Sequence, residues 1–192
     1  MPIDESTRSR TGGYALVEVM LASALLVASA VGVAQVIPMA VHATLAARSR
    51  TIATVLAGQK MEQLRSLTWR WEAAGSPPAW QAVSDTSTDL SADPPGDGGV
   101  GLSPSPDGTL DANVPPYVDY LDGSGRWVGS DSAPPPGAAY TRRWSIQPLE
   151  SDPDHTVVLH VLVTTSRRTA SAPRRAGADE ALLVCVKTRR AP

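Results

Sequence analysis

From Val19 to Ala47 the chain runs without an Asp, Glu, Lys or Arg, and Tyr14 to Ile37 is almost wholly Ala, Val, Leu and other apolar residues. A membrane helix needs about 20 such residues, so this run is long enough to span a bilayer. Ala22, Ser23, Ala24, Ala28, Ser29, Ala30 and Gly32 are spread through it, and small residues let helices approach closely in lipid or in a bundle core. Pro38 lacks a backbone donor and predicts a kink or local opening, with Gly32 loosening the turn before it. Beyond the kink the pattern turns amphipathic. Leu45, Ile52, Leu56, Leu64, Leu67 and Trp71 recur at spacings of seven, four, eight, three and four, a helical stripe, with Arg48, Arg50, Lys60, Glu62 and Arg70 between them. Gly75 and Pro77-Pro78 supply a stop signal, so one helix is expected from Tyr14 to about Glu72. At 1.5 Å per residue it would be roughly 90 Å long, more than a small domain can bury.

Prolines and glycines punctuate residues 75–137, from Pro77-Pro78 to Pro134-Pro135-Pro136, which predicts a loop region with partial disorder. One island stands apart. Tyr117-Val118-Asp119-Tyr120-Leu121 and Arg126-Trp127-Val128 flank Asp122-Gly123-Ser124-Gly125, the pattern of a short hairpin. Residues 138–192 alternate as strands do. Tyr140–Gln147 carries Trp144 and Ile146 on one face; Thr156–Thr165 sets Val157, Leu159, Val161 and Val163 against Val158, His160, Leu162 and Thr164. Ala181–Thr188 alternates Leu182, Val184 and Val186 with Leu183, Cys185 and Lys187. A three-stranded antiparallel sheet covering the amphipathic half of the helix buries both apolar faces. The expected class is α+β: a long N-terminal α-helix, membrane-spanning over 14–42 and amphipathic over 43–74, packed on a small antiparallel β-sheet, with a Pro/Gly-rich region between.

Glu18 is the one acid at the start of the apolar run. A carboxylate at bilayer centre costs about 2.5–3.5 kcal/mol on insertion scales, so an acid here is a functional candidate. A short polar leader ends in Gly12-Gly13, Tyr14 follows, then three apolar residues, then Glu18. This arrangement, over Gly13 to about Leu26, resembles the class III signal of type IV pilins and pseudopilins, with Tyr14 in place of the usual Phe. The resemblance implies a leader of residues 1–13 cut by prepilin peptidase between Gly13 and Tyr14, and N-methylation of Tyr14. It also implies that Glu18 pairs with the N-terminal amine of its own or a neighbouring subunit during assembly. The segment Leu56–Arg65 resembles the second half of the helix in minor pilins and pseudopilins. Tyr140-Thr141-Arg142-Arg143-Trp144-Ser145-Ile146 and the strands after it resemble PilV-type minor pilins.

The family resemblance implies a structural subunit of a type IV pilus, acting in filament initiation, tip assembly or modification. Its implied setting is the bacterial inner membrane, with the N-terminus cytoplasmic and the C-terminal domain periplasmic, and then the pilus or pseudopilus. Implied partners are prepilin peptidase, other minor and major pilins, the inner-membrane assembly platform and the membrane. The alternatives are a minor pseudopilin of a type II secretion system and a DNA-binding uptake pilin. Charge alone does not set the orientation, because Arg8 and Arg10 precede the run while Arg48, Arg50, Lys60 and Arg65 follow it.

The net charge of −2 conceals a division: residues 1–72 carry +2, 73–139 carry −8 and 140–192 carry +4. The basic end contains Arg142, Arg143, Arg167, Arg168, Arg174, Arg175, Lys187, Arg189 and Arg190 near Trp144, a composition that could contact nucleic-acid phosphates or an acidic neighbour. Cys185 is the single cysteine, so no intramolecular disulfide can form, and in a strand it reads as a small buried hydrophobe. His42, His155 and His160 have no zinc-ligand spacing, and His155 is expected in a turn after Asp152-Pro153-Asp154. Asp93, Asp97, Asp107 and Asp111 lack an EF-hand pattern and read as turn formers. Gly96–Gly101 follows no strand and opens no helix, and no Ser sits in a nucleophile elbow. No cofactor is implied and nothing argues catalysis.

Overall fold

The computed structural model describes residues 12–166 and 180–190, the first three by their backbone alone. Among the described residues a single helix, α1 (Gly12–Ser66), precedes nine strands. They are β1 (Trp69–Ala74), β2 (Ala79–Ser84), β3 (Thr88–Asp89), β4 (Gly96–Asp97), β5 (Val118–Leu121), β6 (Trp127–Gly129), β7 (Tyr140–Leu149), β8 (Asp152–Thr165) and β9 (Glu180–Thr188). Contacts divide the chain into two units, Met1–Leu45 and Ala46–Pro192.

In the first unit every described side chain from Ala15 to Leu45 is exposed. The helix is long and apolar enough to cross a membrane. Its hydroxyls turn back on the backbone: Ser23 Oγ donates to the Val19 carbonyl and Ser29 Oγ to that of Leu25, each at 2.7 Å, and Thr44 Oγ1 to that of Ala40 at 2.8 Å. Such bonds satisfy a hydroxyl without water. The opening expected at Pro38 does not occur, since the helix runs unbroken through it. One missing donor is tolerated where the turns on either side keep their bonds.

In the second unit α1 buries one stripe, Ala53, Leu56, Ala57, Lys60, Met61 and Leu64, against a five-stranded antiparallel sheet of order β6-β5-β7-β8-β9. The sheet's inner face supplies Trp144 and Ile146 from β7 and Val157, Leu159, Val161 and Val163 from β8, all buried. Leu183 and Cys185 of β9 pack at its margin. Burying a Val or Leu side chain contributes about 1.5–3 kcal/mol, so this one stripe and face dominate the head's stability. The sheet has two strands more than expected, because the β5–β6 hairpin joins it through β5, with Tyr120 opposite Thr141 and Val118 opposite Arg143.

The helix stops at Ser66, short of the expected Glu72. Lys187 closes its C-terminus, its Nζ donating to the Arg65 carbonyl at 2.7 Å and also to that of Leu67. Cations at a helix C-terminus satisfy orphan carbonyls and complement the dipole. Trp69-Arg70-Trp71 then alternates with period two, and β1 pairs antiparallel with β2 from Trp69↔Ser84 to Ala74↔Ala79. Trp71 therefore belongs to a hairpin, not to the helical stripe.

Within residues 75–137, several side chains dock onto the head. Leu90, Leu102 and Thr109 are buried, and Ser105 exchanges bonds with Ile146, N to carbonyl at 2.8 Å and Oγ from the Ile146 amide at 3.0 Å. The glycines near 100 serve close backbone approach. A Cβ on Gly99 would stand 2.1 Å from Asp89 Cα, and one on Gly101, whose φ is +51°, would stand 1.7 Å from the Asp85 carbonyl oxygen. His155 lies within β8, not in a turn, because the strand begins at Asp152. Cys185 is half-buried instead of buried, since β9 is an edge strand.

Candidate functional site

Gly13 and Tyr14 lie in the first turns of α1, and Glu18 one turn further on. Glu18 is exposed and has no ion-pair or hydrogen-bond partner among the described residues. Val17, Leu21, Ala22 and Leu25 surround it along the same helix surface. Among the described residues this carboxylate, on an apolar and unpacked stretch of helix, meets no counter-charge.

The second unit holds a buried ionic cluster that the sequence reading left unassembled. Asp119 of β5 is fully buried and receives a bidentate pair from Arg142 of β7, Nε to Oδ1 at 2.8 Å and Nη2 to Oδ2 at 2.7 Å. Lys60 of α1, 1% exposed, places Nζ 2.9 Å from the same Oδ2. Its ammonium also donates to the Leu90 carbonyl and lies 4.0 Å from the centre of the Trp144 ring. Arg142 reaches back to the helix, Nη1 donating to the Leu56 carbonyl at 3.2 Å. Helix, sheet and the loop around Leu90 are thus tied at one carboxylate. Burial lowers the Lys60 pKa to about 8; Asp119 opposes that shift and Arg142 adds to it. Every polar atom of the cluster faces another chain group, so the arrangement fastens the fold and exposes no nucleophile.

Both partners were legible in principle. Lys60 stands four residues from Leu56 and four from Leu64, which places it on the apolar stripe and not between its members. Arg142 shares the strand parity of Trp144 and Ile146. Asp119 carried no comparable signal beyond lying in a strand.

Among the described residues, the basic side chains of the C-terminal third other than Arg190 are otherwise engaged. Arg143 donates to Asn113 Oδ1 at 2.8 Å. Arg189 stacks its guanidinium 3.5 Å from the Trp69 ring centre and bonds the Val83 and Asp154 carbonyls. Lys187 caps the helix. Arg190 exchanges backbone bonds with β1 and has an exposed side chain. Arg167, Arg168, Arg174 and Arg175 lie outside the described residues.

His155 Nδ1 sits 2.7 Å from Asp152 Oδ1, and Asp152 is held below the usual carboxylate range by bonds from Thr156 and His155. His160 Nδ1 lies 3.3 Å from Ser145 Oγ, and burial lowers its pKa. Among the described residues no group of three or more His, Cys, Asp and Glu is placed to hold a metal ion. No family model, curated protein or solved structure matches the chain.

Proposed function

We propose that this chain is a minor pilin-like structural subunit of a type IV pilus. In this reading prepilin peptidase removes residues 1–13 and the new N-terminus, Tyr14, is methylated. The subunit waits in the inner membrane through α1 and then enters a filament with other minor and major pilins through the assembly platform. The observation that supports it most is Glu18, a carboxylate without a partner among the described residues, five residues into the mature chain on an apolar, unpacked stretch of helix. An α+β head at the far end of the sequence from that carboxylate agrees with the division of labour. The described basic residues, engaged in capping, stacking and a buried ion pair, favour a structural subunit over a DNA-binding pilin.

The mechanism follows from charge. Peptidase cleavage creates an amine, and packing α1 among neighbouring helices removes that amine and Glu18 from water together. Each alone would carry a large desolvation penalty, and together they neutralise it. Replacing Glu18 with Val should leave membrane insertion and cleavage intact, because insertion depends on the apolar run and cleavage on Gly13. Incorporation should fail, since an uncompensated buried charge costs about 3–5 kcal/mol. Membrane and sheared-filament fractions of wild type and Glu18→Val test this. Wild-type levels of the variant in filaments would return Glu18 to the role of an ordinary headgroup-level acid.

A further inference from the structure

Trp80 of β2 is 52% exposed, and an indole left this open is characteristic of contact surfaces. The hairpin register gives it a companion. Trp71 stands opposite Ala82 and Ala73 opposite Trp80, so two indoles take diagonal corners of one face and two alanines the others. Diagonal neighbours lie about 7–8 Å apart, and two stacking contacts of about 3.5–4 Å fill that distance, so one flat aliphatic ring fits between the indoles. Trp71 is held by the His155 ring at 5.7 Å and the Arg189 guanidinium at 5.2 Å. The cleft here, about 340 Å³, is lined by Arg70, Trp71, Glu72, Ala73, Trp80 and Arg190. Arg70 is paired with Glu72. Arg190 is exposed and its side chain makes no hydrogen bond or ion pair among the described residues, which leaves a positive charge free at the cleft.

A matching segment lies in the same unit. Ala133, Pro134 and Pro135 each precede a proline, which drives them to extended backbone, and the bonds into Pro134, Pro135 and Pro136 are trans. Consecutive prolines of this kind favour polyproline II, a preformed shape that aromatic grooves bind at little cost in entropy. Pro135 packs on Gly129 of β6, and Pro134 and Pro136 on either side of it are exposed. Asp131, three residues before Pro134, is exposed and makes no hydrogen bond or ion pair among the described residues. Cleft and segment lie at opposite margins of the sheet, the prolines at β6 and the hairpin beside Arg190, just past β9. Four strand spacings, about 19 Å, separate β6 from β9, so one copy does not seat its own prolines.

We infer that the Trp71–Trp80 cleft takes the Pro134-Pro135-Pro136 segment of a second copy of this chain. An exposed proline ring enters between the indoles. The Asp131 carboxylate on one copy and the Arg190 guanidinium on the other supply opposite charges, neither of them engaged elsewhere among the described residues. Because the two surfaces differ, the contact is head-to-tail, and it leaves one cleft and one proline segment free for further copies. It depends neither on processing at Gly13 nor on Glu18.

The test uses the full chain in detergent micelles, with Cys185→Ser as background. Ala133→Cys sits beside the proline segment and Ala79→Cys beside Trp80, both at exposed positions. The two variants, carrying different tags, are mixed and treated with a short bis-maleimide. Mixed dimers should exceed the dimers of either variant alone at least tenfold, since a head-to-tail contact brings the two positions together only across unlike partners. Adding Trp80→Ala to the Ala79→Cys chain, or Pro134→Ala with Pro136→Ala to the Ala133→Cys chain, should lower the mixed yield at least tenfold. Asp131→Arg on the Ala133→Cys chain should lower it several-fold, and Arg190→Asp on the Ala79→Cys chain should then restore it. Equal yields from the mixture and from each variant alone would show collision or helix-driven pairing and overturn the inference. So would a mixed yield untouched by Trp80→Ala, or a charge exchange that restores nothing.

Discussion

Between Ala15 and Leu45 every side chain of α1 is exposed, whereas between Ala53 and Leu64 the helix buries six positions against the sheet. Each half carries one charge on its apolar surface, Glu18 in the first and Lys60 in the second. Lys60 finds its counter-charge inside the fold, 2.9 Å away on Asp119. Glu18 finds none among the described residues. The same helix therefore contains one charge paired within the fold and one, Glu18, with no partner among the described residues. The burial pattern, not the composition, distinguishes the two halves.

The largest effect is expected at the Lys60 contact. Asp119→Ala leaves two cations buried without an anion and should cost about 3–5 kcal/mol, read from urea unfolding of residues 46–192 expressed without the preceding helix. An unfolding midpoint close to wild type would mean the cluster is solvated. Trp144→Ala should cost a similar amount, about 3–5 kcal/mol, since the ring is 2% exposed and lies under the Lys60 ammonium. A loss below 1 kcal/mol in the same assay would place the core elsewhere.

A pH series sharpens the comparison further. The folded Lys60 pKa, about 8, lies below the ordinary 10.5, so between those values the unfolded chain binds more protons than the folded one. The penalty is fully present below pH 8, and stability should rise with pH above it, by at most about 1.4 kcal/mol per pH unit. Burial also lowers the Lys187 pKa, with the same sign, while the raised Tyr117 and Tyr120 values oppose the trend only from about pH 10 upward. Wild type and Lys60→Met should therefore differ in slope between pH 8 and 10, the variant being flatter. Parallel curves would remove Lys60 as the titrating group. The smallest effect expected is that of Gly125→Ala. The residue turns at φ +84°, and a Cβ would stand 3.1 Å from Leu56 Cδ2, so a loss of about 1–2 kcal/mol should appear in the same urea assay.

The sequence revealed those parts of the fold whose period was long and uninterrupted. The membrane-length run, the alternation of Val157 to Val163 and the hairpin around Asp122-Gly123-Ser124-Gly125 all appear where their patterns put them. The hairpin turn is closed by Asp122, whose carboxylate accepts from the Ser124 amide at 2.8 Å and the Arg126 amide at 2.9 Å. The helix end was misread because Leu64, Leu67 and Trp71 satisfy a helical spacing while Trp69, Trp71 and Ala73 equally satisfy a strand. The decision was tertiary, made by Lys187 on the last carbonyls and by Arg189 stacked on Trp69. The ordered stretch through Leu90 and Leu102 was hidden because its burial rests on single residues docking into the head, with no period to announce them. For the candidate site, Glu18 was legible from its isolation in an apolar run. The Lys60–Asp119–Arg142 cluster required three distant segments to be brought together.

The proposed function requires that processing create a new amine for Glu18 to meet. Mass spectrometry of the protein extracted from membranes of a strain with an active prepilin peptidase tests it most directly. The expected result is a mature chain beginning at Tyr14 and carrying an N-methyl group, with the leader left attached when Gly13 is replaced by a bulky residue. A wild-type chain that still begins at Met1 would contradict it, since no new amine would then exist for Glu18 to meet.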